Sequence, residues 1–171
     1  AKNILMKRVT TPIISQYFAK KHREKGVQCK LKTNVEEITE HNSKKIITCS
    51  DGSENKVDII LAAIGVVPNT TLALDAGLNC SAGILVDSNC LTSDDNILAI
   101  GDCTNHYNIR YGKQLNLQSV HNAVEQAKTA AFYIAGMPKP YNQVPWFWSN
   151  QYDLKLQIIG LNEDYDELVT I

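Results

Sequence analysis

Residues 92–102 run Thr-Ser-Asp-Asp-Asn-Ile-Leu-Ala-Ile-Gly-Asp, a polar turn leading into a short apolar strand that ends at Gly101-Asp102. Such an end delivers one carboxylate to the edge of a sheet, and in open α/β sheets that edge is where ligands bind. Gly101 has no side chain to hold a ligand away from the backbone, and the Asp102 carboxylate can accept hydrogen bonds from sugar-like hydroxyls. The same residues also describe an ordinary strand-ending turn in which the aspartate caps the next loop; both readings stand at this point.

Two further places carry potential chemistry. Ser119 and Val120 open a long helical pattern, and the first N–H groups of a helix lack partners and favour negative charge. The alternative is a helix that simply packs on its sheet. Val57 to Ile64 (Val-Asp-Ile-Ile-Leu-Ala-Ala-Ile) reads as a strand buried on both faces and ends at Gly65, with Pro68-Asn69 just beyond. Cys103 and His106 have the spacing of half a metal site, but no second half follows, so no metal is expected.

The elements that must position these residues alternate in type. Pro12 suits a helix start, and Ile13, Ile14, Tyr17, Phe18 and Lys21 keep helical spacing until Gly26. Val27 to Leu31, Asn34 to Glu40 and Lys45 to Cys49 read as strands, the last two joined by a polar turn and followed by a reversal at Asp51-Gly52. Thr70 can cap a short helix ending at Gly77, and Ile84 to Asp87 and Ile97 to Ile100 read as strands. In the longest helix Val120, Ala123, Val124, Ala127, Ala131 and Ile134 recur on one face, and Gly136 with Pro138 closes it. Val144 to Trp148 is an aromatic cluster, after which Leu154 to Leu161 resumes strand alternation. Strands and helices thus occur together, with a small meander of strands after the first helix, and an α/β fold is expected.

With 171 residues, 44% of them hydrophobic, and a net charge of −1, the chain is an ordinary globular one, and its near-neutral charge argues against nucleic acid or anionic lipid as main partner. No apolar run approaches the roughly 18 residues of a membrane span and no charged-then-apolar leader opens the sequence, so a cytoplasmic location is expected. The five cysteines form no C-x-x-C pair and read mostly as reduced, buried, small hydrophobes.

Ile-Leu-Ala-Ala-Ile-Gly-Val-Val-Pro-Asn-Thr (60–70), Thr92 through Asp102, Leu-Asn-Leu-Gln-Ser-Val-His-Asn-Ala-Val-Glu-Gln-Ala (115–127) and Val-Pro-Trp-Phe-Trp-Ser-Asn-Gln-Tyr-Asp (144–153) resemble, in order and spacing, the FAD-dependent pyridine nucleotide reductases. The branch they resemble most is that of the ferredoxin and rubredoxin reductases of oxygenase systems. The first two motifs are shared across the wider superfamily, whereas Phe-Trp-Ser-Asn-Gln-Tyr-Asp is particular to this branch. The resemblance implies a partial pair of Rossmann-like dinucleotide-binding domains: residues 1–63 as the back part of the NAD(P)H-binding domain, 64–142 as the second segment of the FAD-binding domain, and 143–171 as the start of an α+β C-terminal interface domain. Neither G-x-G-x-x-G turn is present, so the chain reads as an internal fragment, and on its own it is not expected to turn over NAD(P)H.

By the same resemblance Asp102 accepts a hydrogen bond from the FAD ribityl chain, with Gly101 giving clearance. Val120 at the helix start, behind Ser119, supplies a contact to the flavin edge that gains charge on reduction. Trp148 is an aromatic wall near the isoalloxazine, while Trp146 and Phe147 suit a core role better; Gly65 is the turn linking the two dinucleotide domains. Asn150 stands where the family often has aspartate, which weakens any charge-dependent role there, and Gln151 is a lesser candidate. The implied activity is electron transfer from NAD(P)H through FAD to a ferredoxin or rubredoxin type iron–sulfur protein, with no side chain needed as general acid or nucleophile. Two rivals are a disulfide-type flavoprotein reductase of the same superfamily and a non-catalytic module that binds no cofactor. Coenzyme preference is unreadable, because the residue that sets it precedes Ala1 in the family pattern.

Overall fold

The computed structural model describes residues 2–163 and 165–170. It is an α/β chain in two compact units, one of the residues up to Gly65 together with those from Asn162 onward, the other Val66–Leu161.

In the first unit, α1 (Pro12–Glu24) starts with proline at its first turn, carries Lys21, His22 and Arg23 in its last turn where the dipole favours cations, and buries Ser15, Phe18 and Ala19. Gly26, at φ 81°, closes it. An antiparallel meander follows, β1 (Val35–His41), β2 (Lys44–Cys49) and β3 (Glu54–Val57), in that spatial order. The β1–β2 turn is tighter than the sequence suggests: His41 pairs with Lys44, and Asn42 and Ser43 take left-handed φ values of 49° and 58°. At the second reversal, hydrogen bonds from Ser53 and Lys30 hold the Asp51 carboxyl down at a pKa of about 2.

Two predicted strands of this unit do not form. Residues 27–31 are irregular, and beyond Val57 the run to Ile64 is neither a strand nor buried: Leu61 is 90% and Ile64 96% exposed. A strand exists only where a neighbour takes its N–H and C=O groups, and among the described residues none pairs with either stretch.

The second unit begins with α2 (Thr71–Asp75), where Asn69 Oδ1, rather than the predicted Thr70, accepts from the Thr71 N–H at 3.2 Å. Its sheet is β4 (Ile84–Val86), β5 (Thr104–Asn108) and β6 (Lys113–Leu115), with β4–β5 parallel and β5–β6 antiparallel. Among the described residues 97–100 only Leu98 makes a bridge, to Leu91, flanked by the hydrogen bonds Thr92 N–H to Ile97 O and Ala99 N–H to Cys90 O, so the predicted strand there is reduced to an isolated bridge. Strand β5, Thr-Asn-His-Tyr-Asn, carries no apolar alternation, yet only Tyr107 of its five residues is exposed. Helix α3 (Val120–Ile134) packs on this region, and β7 (Trp146–Gln151) pairs with β8 (Leu154–Ile159) as a hairpin turning at Tyr152.

Helix α3 turns inward a face rotated away from the one its apolar spacing predicts, with Ala123 and Ala127 of the predicted face only half-buried. Its buried residues are Asn122, Gln126, Thr129 and Ala130, while Val120 is 64% and Ile134 74% exposed. The inward face is polar because β5 and the residues before it offer buried hydrogen-bonding groups rather than apolar surface. Of the cysteines only Cys49 and Cys90 are buried; Cys29, Cys80 and Cys103 are half-exposed, and all five are free thiols. Among the described residues no helix is long and apolar enough to cross a membrane.

Candidate functional site

Gly101 opens a single 3₁₀ turn, Gly101–Cys103, at φ 81°, a left-handed conformation that suits a residue without Cβ. Side chains from three other places fix its backbone. The Gly101 N–H donates to Gln126 Oε1 at 2.7 Å, and Thr104 Oγ1 lies 2.8 Å from Gly101 O and 3.0 Å from Gln126 Oε1. Asn116 Nδ2 donates to Asp102 O at 2.8 Å and Thr104 O at 2.6 Å, and Asn116 Oδ1 in turn accepts from Gln118 Nε2. A Cβ built on Gly101 would sit 3.7 Å from Ala123 Cβ, so the turn lies against the first turn of α3.

The main chain of Asp102 is therefore held while its side chain is exposed, and its carboxylate has no partner among the described residues. A fixed, acceptor-only group of this kind offers charge-assisted hydrogen bonds to hydroxyl donors. Beside it, Ser119 caps α3 with an extended backbone, and its Oγ accepts from the Asn122 N–H at 3.2 Å. That leaves the Val120 and His121 N–H groups without helical partners, at the positive end of the dipole. The His121 ring stands edge-on to Trp146 with centroids 5.7 Å apart, and Trp146 lies 5.1 Å from Trp148 at 35°. Both indoles are partly exposed, so the core role expected of Trp146 does not distinguish it from Trp148. Taken together the set suits a ligand with hydroxyl donors, an electron-rich edge and a flat ring.

Gly101, Asp102, Ser119, Val120 and Trp148 all belong to the second unit. Gly65 belongs to the first, at φ 96°, with no heavy atom within 4 Å of the position its Cβ would take. Asn150 is exposed on β7, and Gln151 Nε2 donates to Ser149 Oγ at 3.0 Å. Cys103 directs its thiol to Ile100 O, whereas His106 is buried between Gln126 and Tyr141; among the described residues no three His, Cys, Asp or Glu side chains gather as a metal would need.

The residues that sequence reasoning missed are those that do the holding: Thr104, Asn116, Asn122 and Gln126. Positions 122, 126 and 129 share one helical face, so a polar stripe was available as a signal once apolar spacing was not taken as the only mark of an inward face. The interior they line is electrically quiet. Burial pushes the Tyr141 hydroxyl up to about 12, with Cys90 and Glu125 adding to it, and its O–H donates to Asn122 Oδ1 at 2.9 Å. Burial also raises the Cys90 thiol to about 11, helped by Asp87, and lowers His106 below its ordinary value.

Residues 1–127 match the pyridine nucleotide-disulphide oxidoreductase family, and residues 146–170 match the family described as reductase C-terminal. The chain is 42% identical over 168 residues to the 5,5'-dehydrodivanillate O-demethylase ferredoxin reductase subunit of a Sphingobium species, covering 96% of this chain and 41% of that protein. It is 36% identical to putidaredoxin reductase from Pseudomonas putida, over 96% of this chain and 40% of the relative. The crystal structure of a ferredoxin reductase from Rhodopseudomonas palustris superposes with a TM-score of 0.93 at 40% identity, covering 98% of this chain and 42% of that one. The chain thus spans about two-fifths of the length of these relatives.

Proposed function

The chain belongs to the pyridine nucleotide-disulphide oxidoreductase family, and on that premise we propose that it is part of an FAD-dependent NAD(P)H reductase that serves a ferredoxin or rubredoxin type iron–sulfur protein. When bound, FAD accepts a hydride from NAD(P)H and releases electrons one at a time. This chain's residues bind and orient. Asp102 accepts from the ribityl hydroxyls, with Gly101 giving clearance. The N–H groups at the start of α3, capped by Ser119 and including that of Val120, would hold the edge of the flavin that becomes electron-rich on reduction. Trp148 would wall the ring from solvent.

The observation that carries this reading is the Asp102 carboxylate, left exposed and unpaired on a turn whose backbone is fixed by Gln126 and Asn116. In the same reading residues 1–63 form the back part of the nicotinamide domain, with Gly65 in the turn that follows; 64–142 are the second segment of the FAD domain, and 143–171 begin the interface domain. The setting is cytoplasmic. A disulfide-type reductase is less well supported, since residues 146–170 match the reductase C-terminal family.

A chimera tests the proposal: this chain replaces the matching two-fifths of the Sphingobium relative. A yellow protein with near-stoichiometric flavin and NAD(P)H-dependent reduction of an iron–sulfur acceptor is expected. A folded, colourless chimera would rule the proposal out. The chain alone, lacking both glycine-rich phosphate turns, is expected to show no NAD(P)H turnover.

A further inference from the structure

Gln126 is among the most deeply buried side chains of the second unit, 1% exposed, on the inward face of α3 one turn beyond Ala123. Its oxygen accepts from the Gly101 N–H at 2.7 Å, and the Thr104 hydroxyl, whose one proton also faces Gly101 O at 2.8 Å, lies 3.0 Å away. The Gly101 N–H can only donate, so the amide end facing it is the oxygen, and Nε2 points the other way, to His106 Nδ1 at 3.5 Å. The Gln126 main chain is engaged as well, its carbonyl lying 3.7 Å from Cys90 Sγ. Gly101 needs such an anchor because it has no side chain and sits in a left-handed conformation at the end of a stretch with only one bridge, Leu91–Leu98.

We infer that Gln126 is the positioning residue of the proposed flavin site: through Gly101 N and Thr104 Oγ1 it fixes the turn that presents Asp102. The inference rests on the function proposed above. Gln126 touches no ligand; it acts on Asp102 through two residues of backbone. The Nε2–His106 contact keys the amide so that its oxygen stays toward the turn.

The test compares Gln126→Met, which keeps length but removes the acceptor, with Gln126→Glu, which keeps an oxygen for Gly101 and Thr104 and sets a second one opposite His106. Two readouts are taken: amide hydrogen exchange in this chain, and flavin affinity in the chimera. In Gln126→Met the Gly101 and Thr104 amides should exchange about tenfold faster relative to those of β4 and the far end of α3, and flavin should bind about tenfold more weakly. Gln126→Glu, which keeps the acceptor but buries a charge, should bring both part of the way back toward the unaltered values. Faster exchange spread evenly over the unit, or flavin affinity unchanged in Gln126→Met, would overturn the inference. Should Gln126→Met not fold, Thr104→Val removes the hydroxyl that lies between Gly101 O and Gln126 Oε1 and leaves Gln126 in place. It should give a smaller change confined to the same turn, and no change or a uniform one counts against the inference. A chimera that takes up no flavin even unaltered sinks the proposed function, while exchange in this chain still decides the role of Gln126.

Discussion

Residues 57–65 and 97–101 read alike in the sequence, each an apolar strand ending at a glycine, yet the folded chain treats them in opposite ways. Around Gly65 no heavy atom of the described residues beyond its chain neighbours lies within 4 Å of its missing Cβ, and the apolar side chains before it are exposed. Around Gly101 the backbone is fixed by Gln126, Asn116 and Thr104, and Ala123 lies 3.7 Å from its missing Cβ. The sequence signal is the same; what differs is whether polar side chains from distant positions reach the turn. An apolar run marks surface that fits against a neighbour, and a polar clamp marks geometry already fixed. The relatives are about two and a half times as long as this chain, and a neighbour for residues 57–64 drawn from that additional length fits the proposal.

Placing a Cβ in each region should give the largest contrast. At Gly83, φ 146°, the new carbon would lie 2.8 Å from Cys103 O and 3.0 Å from Thr104 C, a main-chain collision directly beneath the turn. Thermal unfolding of Gly83→Ala should show a loss of about 3 kcal/mol or more, from steric overlap added to left-handed strain. Gly65→Ala, with open space around it, should lose only the strain, about 1 kcal/mol. Equal losses would erase the distinction between the regions.

Next comes the polar core. Tyr141→Phe removes the donor to Asn122 Oδ1 and leaves a buried acceptor unpaired, so denaturant unfolding should report a loss of about 2 kcal/mol. A neutral result would mean that the Tyr141–Asn122 bond does not hold this core together.

The pH dependence sharpens the picture further. Burial lowers the His106 pKa in the folded state, so the unfolded chain takes up its proton first as pH falls. The stability tied to neutral His106 is complete above the unfolded value of about 6.5 and is lost as pH drops through it toward the folded value, with a slope of at most about 1.4 kcal/mol per pH unit. His106→Gln should flatten that part of the stability–pH curve; parallel curves would show that His106 is not the group responsible. The smallest effect belongs to the open region, where Leu61→Asp should change the stability of this chain by no more than about 0.5 kcal/mol. In the chimera the same change should obstruct folding, which solubility and circular dichroism would report.

Much of the scaffold was legible. The proline start and glycine end of α1, the reversals read at residues 41–44 and 51–52, and the Ser119 start and Gly136 end of α3 are set by local backbone chemistry, which a sequence displays directly. Strand β5 was not legible, because Thr-Asn-His-Tyr-Asn is buried through hydrogen bonds rather than through apolar transfer. For the same reason the inward face of α3 was assigned to Val120, Val124 and Ile134 when Asn122, Gln126 and Thr129 occupy it. At the candidate site, the residues that present a group outward could be named from spacing, since Asp102 and Ser119 sit at recognisable element ends. Those that hold it, Gln126 and Asn116, lie 24 and 14 positions from Asp102 and carry no local mark.

The central claim is that Asp102 grips a cofactor while contributing nothing to the fold. Flavin titration of the chimera carrying Asp102→Ala, with the melting temperature measured on the same samples, tests it directly. Removing a charge-assisted hydrogen bond from an otherwise fixed turn should weaken flavin binding by about 10- to 100-fold and leave the melting temperature of the flavin-free protein unchanged. Unchanged flavin affinity, or a loss that follows only from lower stability, would contradict the account.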